Sequence, residues 1–308
     1  MQFFDASTVR ARTPMPALVQ ALRRAFLAGA EVPQRHPHSL PGGGSMLLMP
    51  AWREGGRLGL KSVTVCPGNG ALGLPGVHGL YSLFDAATGV PLAVMDGSEL
   101  TARRTAAASA LAAAHLARRD AARLLLVGAG RVAALLPEAM RAVRPTLVEV
   151  AVWARRGGAA EGLAAQCRAA GFEAHAVDDL AAAAARAHIV SCATMSGAAL
   201  VHGAWLGPGA HLDLIGSYAP NMREADGPAF AQAGVWVDTA EALAKAGDVL
   251  MAIEEGCFEA TRTVGTLADL VHGRCRGRER EDERTLFKSV GNAIEDLAAA
   301  ELVFDGPG

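Results

Sequence analysis

The residues with the clearest chemical meaning follow a short apolar run near the middle of the chain. Residues 124–133 read LLLVGAGRVA, a strand-like run that turns directly into a helix-like segment. Gly128 allows a turn too tight for a side chain, Gly130 lets backbone N–H groups approach a phosphate, and Ala133 lets helix and strand pack closely. A helix N-terminus also attracts negative charge. The motif therefore predicts a dinucleotide pyrophosphate site, with an ordinary tight turn as the alternative.

The residues after the next predicted strand bear on which dinucleotide would bind. There the chain reads Trp153-Ala154-Arg155-Arg156, without the carboxylate that would hydrogen-bond a ribose hydroxyl. Two guanidinium groups suit a 2′-phosphate instead, so the sequence favours NADP(H) over NAD(H). Two surface arginines at a helix start are the alternative interpretation. Thr194, at the end of a later predicted strand, lies where such sheets bind ligands.

Three basic residues elsewhere are candidates for binding a small acid: Arg35, Lys61 and Arg104. Lys61 interrupts an apolar strand-like run, so its ammonium group must either reach solvent or lie in a polar cavity. Arg103 and Arg104 are about 100° apart around a predicted helix, so only one can face a given cleft and the other should be structural. A cleft lined by these cations beside a nicotinamide would suit a substrate carboxylate.

The elements that must position these residues fall into two groups along the chain. In the first part, residues 13–29 have apolar residues at helical spacing, and residues 33–44 form a polar, glycine-rich loop. Residues 58–95 contain short β-rich runs separated by glycine and proline turns, which predict a mostly antiparallel sheet. Asp96 is a candidate cap for a long alanine-rich helix from Ser98 to about Arg119 that would bridge two domains.

Beyond residue 119, apolar strand candidates alternate with helical stretches, the pattern of βαβ units around a doubly wound parallel sheet. The last helix, about residues 285–302, is predicted to return to the first domain. The strand candidates are residues 124–127, 148–153, 188–193, 211–215 and 235–237.

Composition excludes several classes of protein. The 308 residues are 51% hydrophobic and 19% charged, which indicates a globular chain, and the net charge of −2 gives no reason to expect nucleic acid or an anionic membrane as partner. Five scattered cysteines without a Cys-x-x-Cys pair, and an N-terminus without a signal-like segment, favour the cytoplasm. His36 and His38 have no acidic or cysteine neighbour in sequence, so no metal site is expected.

Taken together, the motifs resemble the ornithine cyclodeaminase/μ-crystallin family over nearly the whole chain. This resemblance implies an α/β protein with a Rossmann-type doubly wound parallel sheet plus an α+β substrate-binding and dimerisation domain. The expected boundaries are 1–110, with a return of 285–308, for the substrate domain and 111–284 for the dinucleotide domain. The matching stretches are LMPA (48–51), GLKSVT (59–64), PGN (67–69), LFD (83–85), TG (88–89), LTARRTAA (100–107), VGAG (127–130), RE (223–224) and FKSVG (287–291).

The same resemblance assigns expected roles to single residues. Arg35, Lys61 and Arg104 match positions that hold the substrate carboxylate and surround its reacting nitrogen, and Lys61 is the first candidate for proton donor. His78 is the second candidate. The resemblance also implies a homodimer. The expected cofactor, from Arg155 and Arg156, is NADPH, with NADH as the alternative. The expected cofactor-binding residues are Gly128, Ala129, Gly130, Arg131, Arg155, Arg156, Thr194 and Ser289.

One departure from the family pattern bears on the reaction. Cyclodeaminases of this family carry an aspartate where residues 216–220 (GSYAP) have Tyr218. A phenol is neutral at physiological pH and cannot replace a carboxylate as an anionic base. The segment resembles instead the branch that reduces cyclic ketimines to L-proline or L-pipecolate. An open-chain amino-acid dehydrogenase, a cyclodeaminase with another carboxylate and a non-catalytic binding protein remain alternatives.

Overall fold

The computed structural model describes residues 1–307, which divide into two compact units. The first comprises residues 1–105 and the chain from Asn292 onward, and the second comprises residues 106–291. The chain thus returns to the first unit at Asn292, not at residue 285 as expected from the sequence. The reason is that residues 285–288 are a strand of the second unit's sheet, where a helix had been predicted.

A six-stranded sheet forms the centre of the first unit, in the order β1-β6-β5-β4-β3-β2. β1 pairs with β6 in parallel and the other neighbours are antiparallel, as the β-rich runs predicted. The strands are β1 (Gln2–Phe4), β2 (His36–Ser39), β3 (Ser45–Trp52), β4 (Arg57–Val65), β5 (Val77–Asp85) and β6 (Pro91–Asp96). β2 lies within the segment predicted to be a loop; all four of its residues are exposed, so it has no burial alternation for the sequence to reveal.

Three helices of the first unit are α1 (Ala6–Arg12), α2 (Met15–Ala28) and α11 (Ala293–Asp305). α2 ends at Gly29, whose φ of 75° is favoured by glycine. α11 packs against α2 and against strands β3 and β4. It therefore covers one face of the sheet, the face to which Lys61 belongs.

The predicted bridging helix is α3 (Gly97–Leu116), and it crosses the boundary between the units in sequence. Its start is fixed as expected, because the Asp96 carboxylate accepts the backbone N–H of Glu99 at 2.7 Å. Eight of its 20 residues are alanine, and seven of these are at most 3% exposed, which allows close packing. In the described part of the chain, no helix combines the length and apolar character that crossing a membrane requires.

The second unit is built on an eight-stranded sheet in the order β13-β12-β14-β11-β10-β7-β8-β9, in which every neighbouring pair is parallel. From β7 the chain proceeds to β8 and β9 on one side and then returns to β10 on the other, which is the doubly wound arrangement expected. The strands are β7 (Arg123–Val127), β8 (Glu149–Trp153), β9 (Glu173–Ala176), β10 (Ile189–Cys192), β11 (His211–Leu214), β12 (Gly234–Val237), β13 (Thr263–Thr266) and β14 (Thr285–Lys288).

Helices connect these strands and pack apolar side chains against the sheet. Leu125, Val190, Leu212 and Phe230 belong to one continuous buried core. Burial of this core stabilises the unit by about 25 cal/mol for each Å² of apolar surface removed from water. The helices are α4 (Arg131–Val143), α5 (Gly157–Ala169), α6 (Leu180–Arg186), α7 (Gly227–Ala231), α8 (Ala242–Lys245), α9 (Gly247–Glu254) and α10 (Leu267–His272).

Candidate active site

Lys61 is buried in the first unit and forms an ion pair with a carboxylate of α11. Lys61 is 2% exposed, and its Nζ atom lies 2.7 Å from Oδ2 of Asp296. Arg104 binds the same carboxylate, with Nε donating to Oδ1 at 2.8 Å, and it also donates from Nη1 to Glu295 at 2.7 Å. Because both cations share Asp296, the structure brings two of the three predicted basic residues together. We call Lys61, Arg104, Glu295 and Asp296 the cation–carboxylate cluster.

Burial and the neighbouring charges of this cluster bring the pKa of Lys61 close to neutral pH. Burial lowers the pKa of Lys61 to about 8, Asp296 partly offsets this effect, and the neighbouring charge of Arg104 adds to it. For Arg104, burial also lowers the pKa, but Asp296 and Glu295 outweigh it and the net shift is upward. Arg104 is therefore a fixed charge, whereas Lys61 can exchange a proton near neutral pH.

Strand register shows which side chains flank Lys61. Met49 of β3 and Tyr81 of β5 are its partners on either side, and both are buried. Arg35 directly precedes β2 and is half-buried. The β2–β3 register, continued by one residue, places Arg35 opposite Met49 in the same row across the sheet.

Tyr81 is 1% exposed, and its hydroxyl has no hydrogen-bond partner among the described residues. Burial, and then Asp296, raises the pKa of this phenol well above its ordinary value. The ring reaches across β4, because a Cβ on Gly59 would stand 1.8 Å from the Tyr81 hydroxyl oxygen. Glycine at position 59 is therefore required to admit the tyrosine ring.

Two other sequence candidates lie apart from this cluster. His78 pairs with Thr64 in the same register. It lies three positions before Tyr81 in β5, and because this offset is odd it faces the opposite side of the sheet from Lys61. Arg103 donates from Nε and Nη2 to the backbone oxygen of Thr13, and from Nε to its hydroxyl, in the interior. The prediction that one arginine of the pair is structural is confirmed.

The second unit contains a cavity of about 380 Å³ at the carboxyl ends of β7, β8 and β10. The predicted residues Gly128, Ala129, Gly130 and Thr194 line it, as do Arg155 and Arg156. Gly128 has a φ of 111°, and a Cβ there would lie 2.7 Å from the backbone oxygen of Ala193. This turn accordingly excludes any side chain.

The residues around this cavity fit a dinucleotide. A Cβ on Gly130 would meet no protein atom within 4 Å, so packing within the protein does not explain this glycine, whereas close approach of a phosphate does. Gly130 caps α4 without a side-chain hydrogen bond, which leaves the first N–H groups of the helix to bind an anion. Arg155 and Arg156 are both exposed at the end of β8. Both line the cavity.

The structure gives different surroundings to the remaining cofactor-site candidates. Thr194 lies in the cavity wall, and its N–H and hydroxyl both donate to Glu224. Arg131 is the exposed first residue of α4. Ser289 follows β14 and is buried, with its N–H bound to the oxygen of Leu214. Neither Arg131 nor Ser289 belongs to the residues that line the cavity.

Sequence reasoning missed the acidic half of the cation–carboxylate cluster. Glu295 and Asp296 lie in the first turn of α11, where acidic residues are ordinary because they favour the helix dipole. Their signal was an adjacent pair of acids followed directly by an apolar, alanine-rich run. Among residues 1–307, no group of three or more His, Cys, Asp or Glu side chains is arranged to hold a metal ion.

Comparison with known proteins gives the family. The family model "Ornithine cyclodeaminase/mu-crystallin family" matches residues 4–306. The chain belongs to this family. It is 40% identical to a Delta(1)-pyrroline-2-carboxylate reductase of Paracoccus denitrificans, over 98% of this chain and 96% of the relative.

Two solved structures of similar fold bear on the family assignment. Delta(1)-pyrroline-2-carboxylate reductase of Thermococcus litoralis, in complex with NADH and L-proline, matches with a TM-score of 0.94 and 32% identity, covering 99% of this chain and 97% of that one. An archaeal alanine dehydrogenase dimer with bound NAD matches with a TM-score of 0.92 and 31% identity, covering 99% and 95%. The family scaffold thus carries more than one reaction at the carbon–nitrogen bond.

Proposed function

We propose that this protein is a nicotinamide-dependent oxidoreductase that reduces a cyclic imino acid. The substrates we propose are Δ1-pyrroline-2-carboxylate and Δ1-piperideine-2-carboxylate, and the products are L-proline and L-pipecolate. The observation that carries the proposal is the buried Lys61 ammonium, which shares the Asp296 carboxylate with Arg104. The relatives named Delta(1)-pyrroline-2-carboxylate reductase support this assignment.

The chemistry of imine reduction explains why these side chains are needed. A reduced nicotinamide, when bound, would supply a hydride to the imine carbon. We propose that Arg104 and Arg35 hold the substrate carboxylate through charge-assisted hydrogen bonds. Lys61 would hold a proton at the ring nitrogen, which must be protonated for the carbon to accept hydride readily. A pKa of about 8 allows the ammonium group both to be populated and to release its proton near neutral pH.

We propose NADPH as the preferred cofactor, bound in the cavity at the carboxyl ends of β7, β8 and β10. Arg155 and Arg156 support this choice, since both line the cavity where a carboxylate would otherwise select NADH. In the first unit, residues 1–105 and the returning helix would hold the substrate. In the second, residues 106–291 would hold the nucleotide.

Particular residues and one structural relative bear on the alternative functions. Tyr218 stands in the loop after β11 and is 43% exposed, and residues 216–222 contain no carboxylate, which argues against cyclodeaminase chemistry. The likeness to an archaeal alanine dehydrogenase keeps an open-chain substrate as the second candidate. The buried cation–carboxylate cluster argues against a purely binding role, because a binding surface does not require two buried cations around one carboxylate.

We also propose that the first unit forms a homodimer through the sheet face that α11 does not cover. One row of residues across that face consists of Phe3, Val94, Ser82 and Leu60, and Leu80 lies beside this row. Phe3 is 72% exposed and Leu80 is 53% exposed. Large apolar side chains grouped on a sheet face favour burial against a second copy. All five cysteines are free thiols, in keeping with the proposed cytoplasmic location.

A substrate panel tests the proposed reaction. Oxidation of NADPH is followed by absorbance with Δ1-pyrroline-2-carboxylate, with Δ1-piperideine-2-carboxylate, and with pyruvate plus ammonia, and NADH is run in parallel. We expect turnover with a cyclic imine and no dependence on ammonia. Turnover only with pyruvate and ammonia would establish the open-chain alternative, and no turnover with either imine would refute the proposal.

A single substitution then tests the proposed proton donor. Lys61→Met removes the ammonium group, and we expect imine turnover to fall about 100-fold or more while NADPH still binds. Lys245→Met is the matched control, because Lys245 is a partly exposed lysine of the second unit that pairs with Glu241. Turnover near the parent's rate in Lys61→Met would remove Lys61 from the mechanism.

A further inference from the structure

One buried carboxylate joins the ends of two central strands in the second unit. Oε1 of Glu224 accepts the N–H of Thr194 at 2.6 Å and its hydroxyl at 2.9 Å, and Oε2 accepts the N–H of Gly216 at 2.7 Å. Thr194 follows β10 and Gly216 follows β11. Glu224 is fully buried, so these hydrogen bonds do not compete with solvent.

The two strand ends are also in direct contact. A Cβ on Gly216 would lie 1.8 Å from the backbone oxygen of Thr194 and 2.5 Å from Oε1 of Glu224. Among the described residues, the three groups that hydrogen-bond to the Glu224 carboxylate are all donors, and they occupy both of its oxygens. A glutamine could accept at only one oxygen, and its NH₂ group would then oppose an N–H donor.

Further buried groups hold Glu224 itself in place. Oδ1 of Asp248 accepts the backbone N–H of Glu224 at 2.7 Å and that of Ala225 at 3.0 Å. The other carboxylate oxygen of Asp248 lies 3.3 Å from Nζ of Lys288, at the end of β14. Glu224, Asp248 and Lys288 are all fully buried. The backbone at Glu224 is therefore anchored to Asp248 of α9 and, through Asp248 and Lys288, to a third strand end.

We infer that Glu224 is a positioning residue for the nucleotide cavity, an inference that rests on the nucleotide binding proposed above. Thr194, together with Ala193, Met195 and Ser196, forms one wall of the cavity. Glu224 fixes the backbone of this wall without lining the cavity itself. Replacing one of its acceptor oxygens by an NH₂ group should therefore loosen the wall and weaken nucleotide binding, while the cation–carboxylate cluster in the first unit stays intact.

The test is Glu224→Gln, measured by the NADPH dissociation constant from fluorescence titration. We expect that constant to rise about tenfold or more, since an acceptor oxygen is replaced by an NH₂ group that opposes a backbone N–H or hydroxyl donor. The KM for the imine should stay within about twofold of the parent's when NADPH is saturating. A merely structural role would instead lower the amount of folded protein and leave the dissociation constant unchanged.

Controls separate the possible outcomes. Glu255→Gln is the matched control, because Glu255 is an exposed carboxylate that pairs with Arg223 at the surface, and parental binding is expected there. If Glu224→Gln does not fold, Thr194→Val removes one of the three hydrogen bonds, and a smaller rise in the same constant is expected. A parental constant in the folded variant overturns the inference. Failure of the parent itself to bind NADPH or NADH would refute the proposed function instead.

Discussion

The substitution Asp296→Asn gives the sharpest test of how the cation–carboxylate cluster controls proton transfer. It preserves the shape of the side chain but removes the negative charge that lies 2.7 Å from Lys61 and 2.8 Å from Arg104. Burial lowers the pKa of Lys61 to about 8, and Asp296 is the main group that opposes this effect. Once the Asp296 charge is removed, burial and the Arg104 guanidinium both lower the pKa of Lys61, and only Glu295 partly opposes them.

The size of the effect follows from the distances. An opposite charge this close favours the charged form of its partner by about 1 to 3 pH units. The pKa of Lys61 should therefore fall from about 8 to between about 5 and 7. At pH 8 the protonated fraction would drop about fivefold or more, and kcat/KM for the imine should drop by the same factor if Lys61 must be protonated.

The assay is the pH profile of kcat/KM for Δ1-pyrroline-2-carboxylate from about pH 6 to about pH 9.5, followed by NADPH absorbance. The alkaline limb should move to lower pH by about one unit or more in Asp296→Asn. Glu301→Gln is the control, because Glu301 lies on the same helix but pairs with Arg53. An unmoved alkaline limb in folded Asp296→Asn would show that this ion pair does not set the protonation of the reacting group.

Three further outcomes test other parts of the structure. Gly128→Ala would place a Cβ 2.7 Å from the backbone oxygen of Ala193 at a φ of 111°. We therefore expect the free energy of unfolding, measured in urea, to fall by about 1 to 3 kcal/mol, and NADPH to bind more weakly. Arg155→Ala combined with Arg156→Ala should raise the KM for NADPH about tenfold or more and leave that for NADH within about twofold; equal effects on both would contradict a 2′-phosphate contact. Leu80→Asp should shift the proposed dimer toward monomer in light scattering, and an unchanged mass would place the interface elsewhere.

The fold could be predicted largely from local patterns. The GAG turn after an apolar run, the alternation of strands with helices, and the Asp96 cap are all short-range signals, and the structure contains each of them. Elements without a local signal were missed. β2 is wholly exposed, and β14 (TLFK) is a buried strand too short to be distinguished from the start of the helix that follows it.

The sequence by itself determined which residues carry charge and which turns need glycine, because both properties belong to single residues and their chain neighbours. Only the tertiary structure decided that Lys61 and Arg104 share Asp296, which lies far from both of them along the chain. It also decided that Glu224 binds the ends of two strands. Such contacts depend on strand register and helix docking. The pKa of Lys61 follows from that burial and pairing, so a one-dimensional pattern cannot supply it.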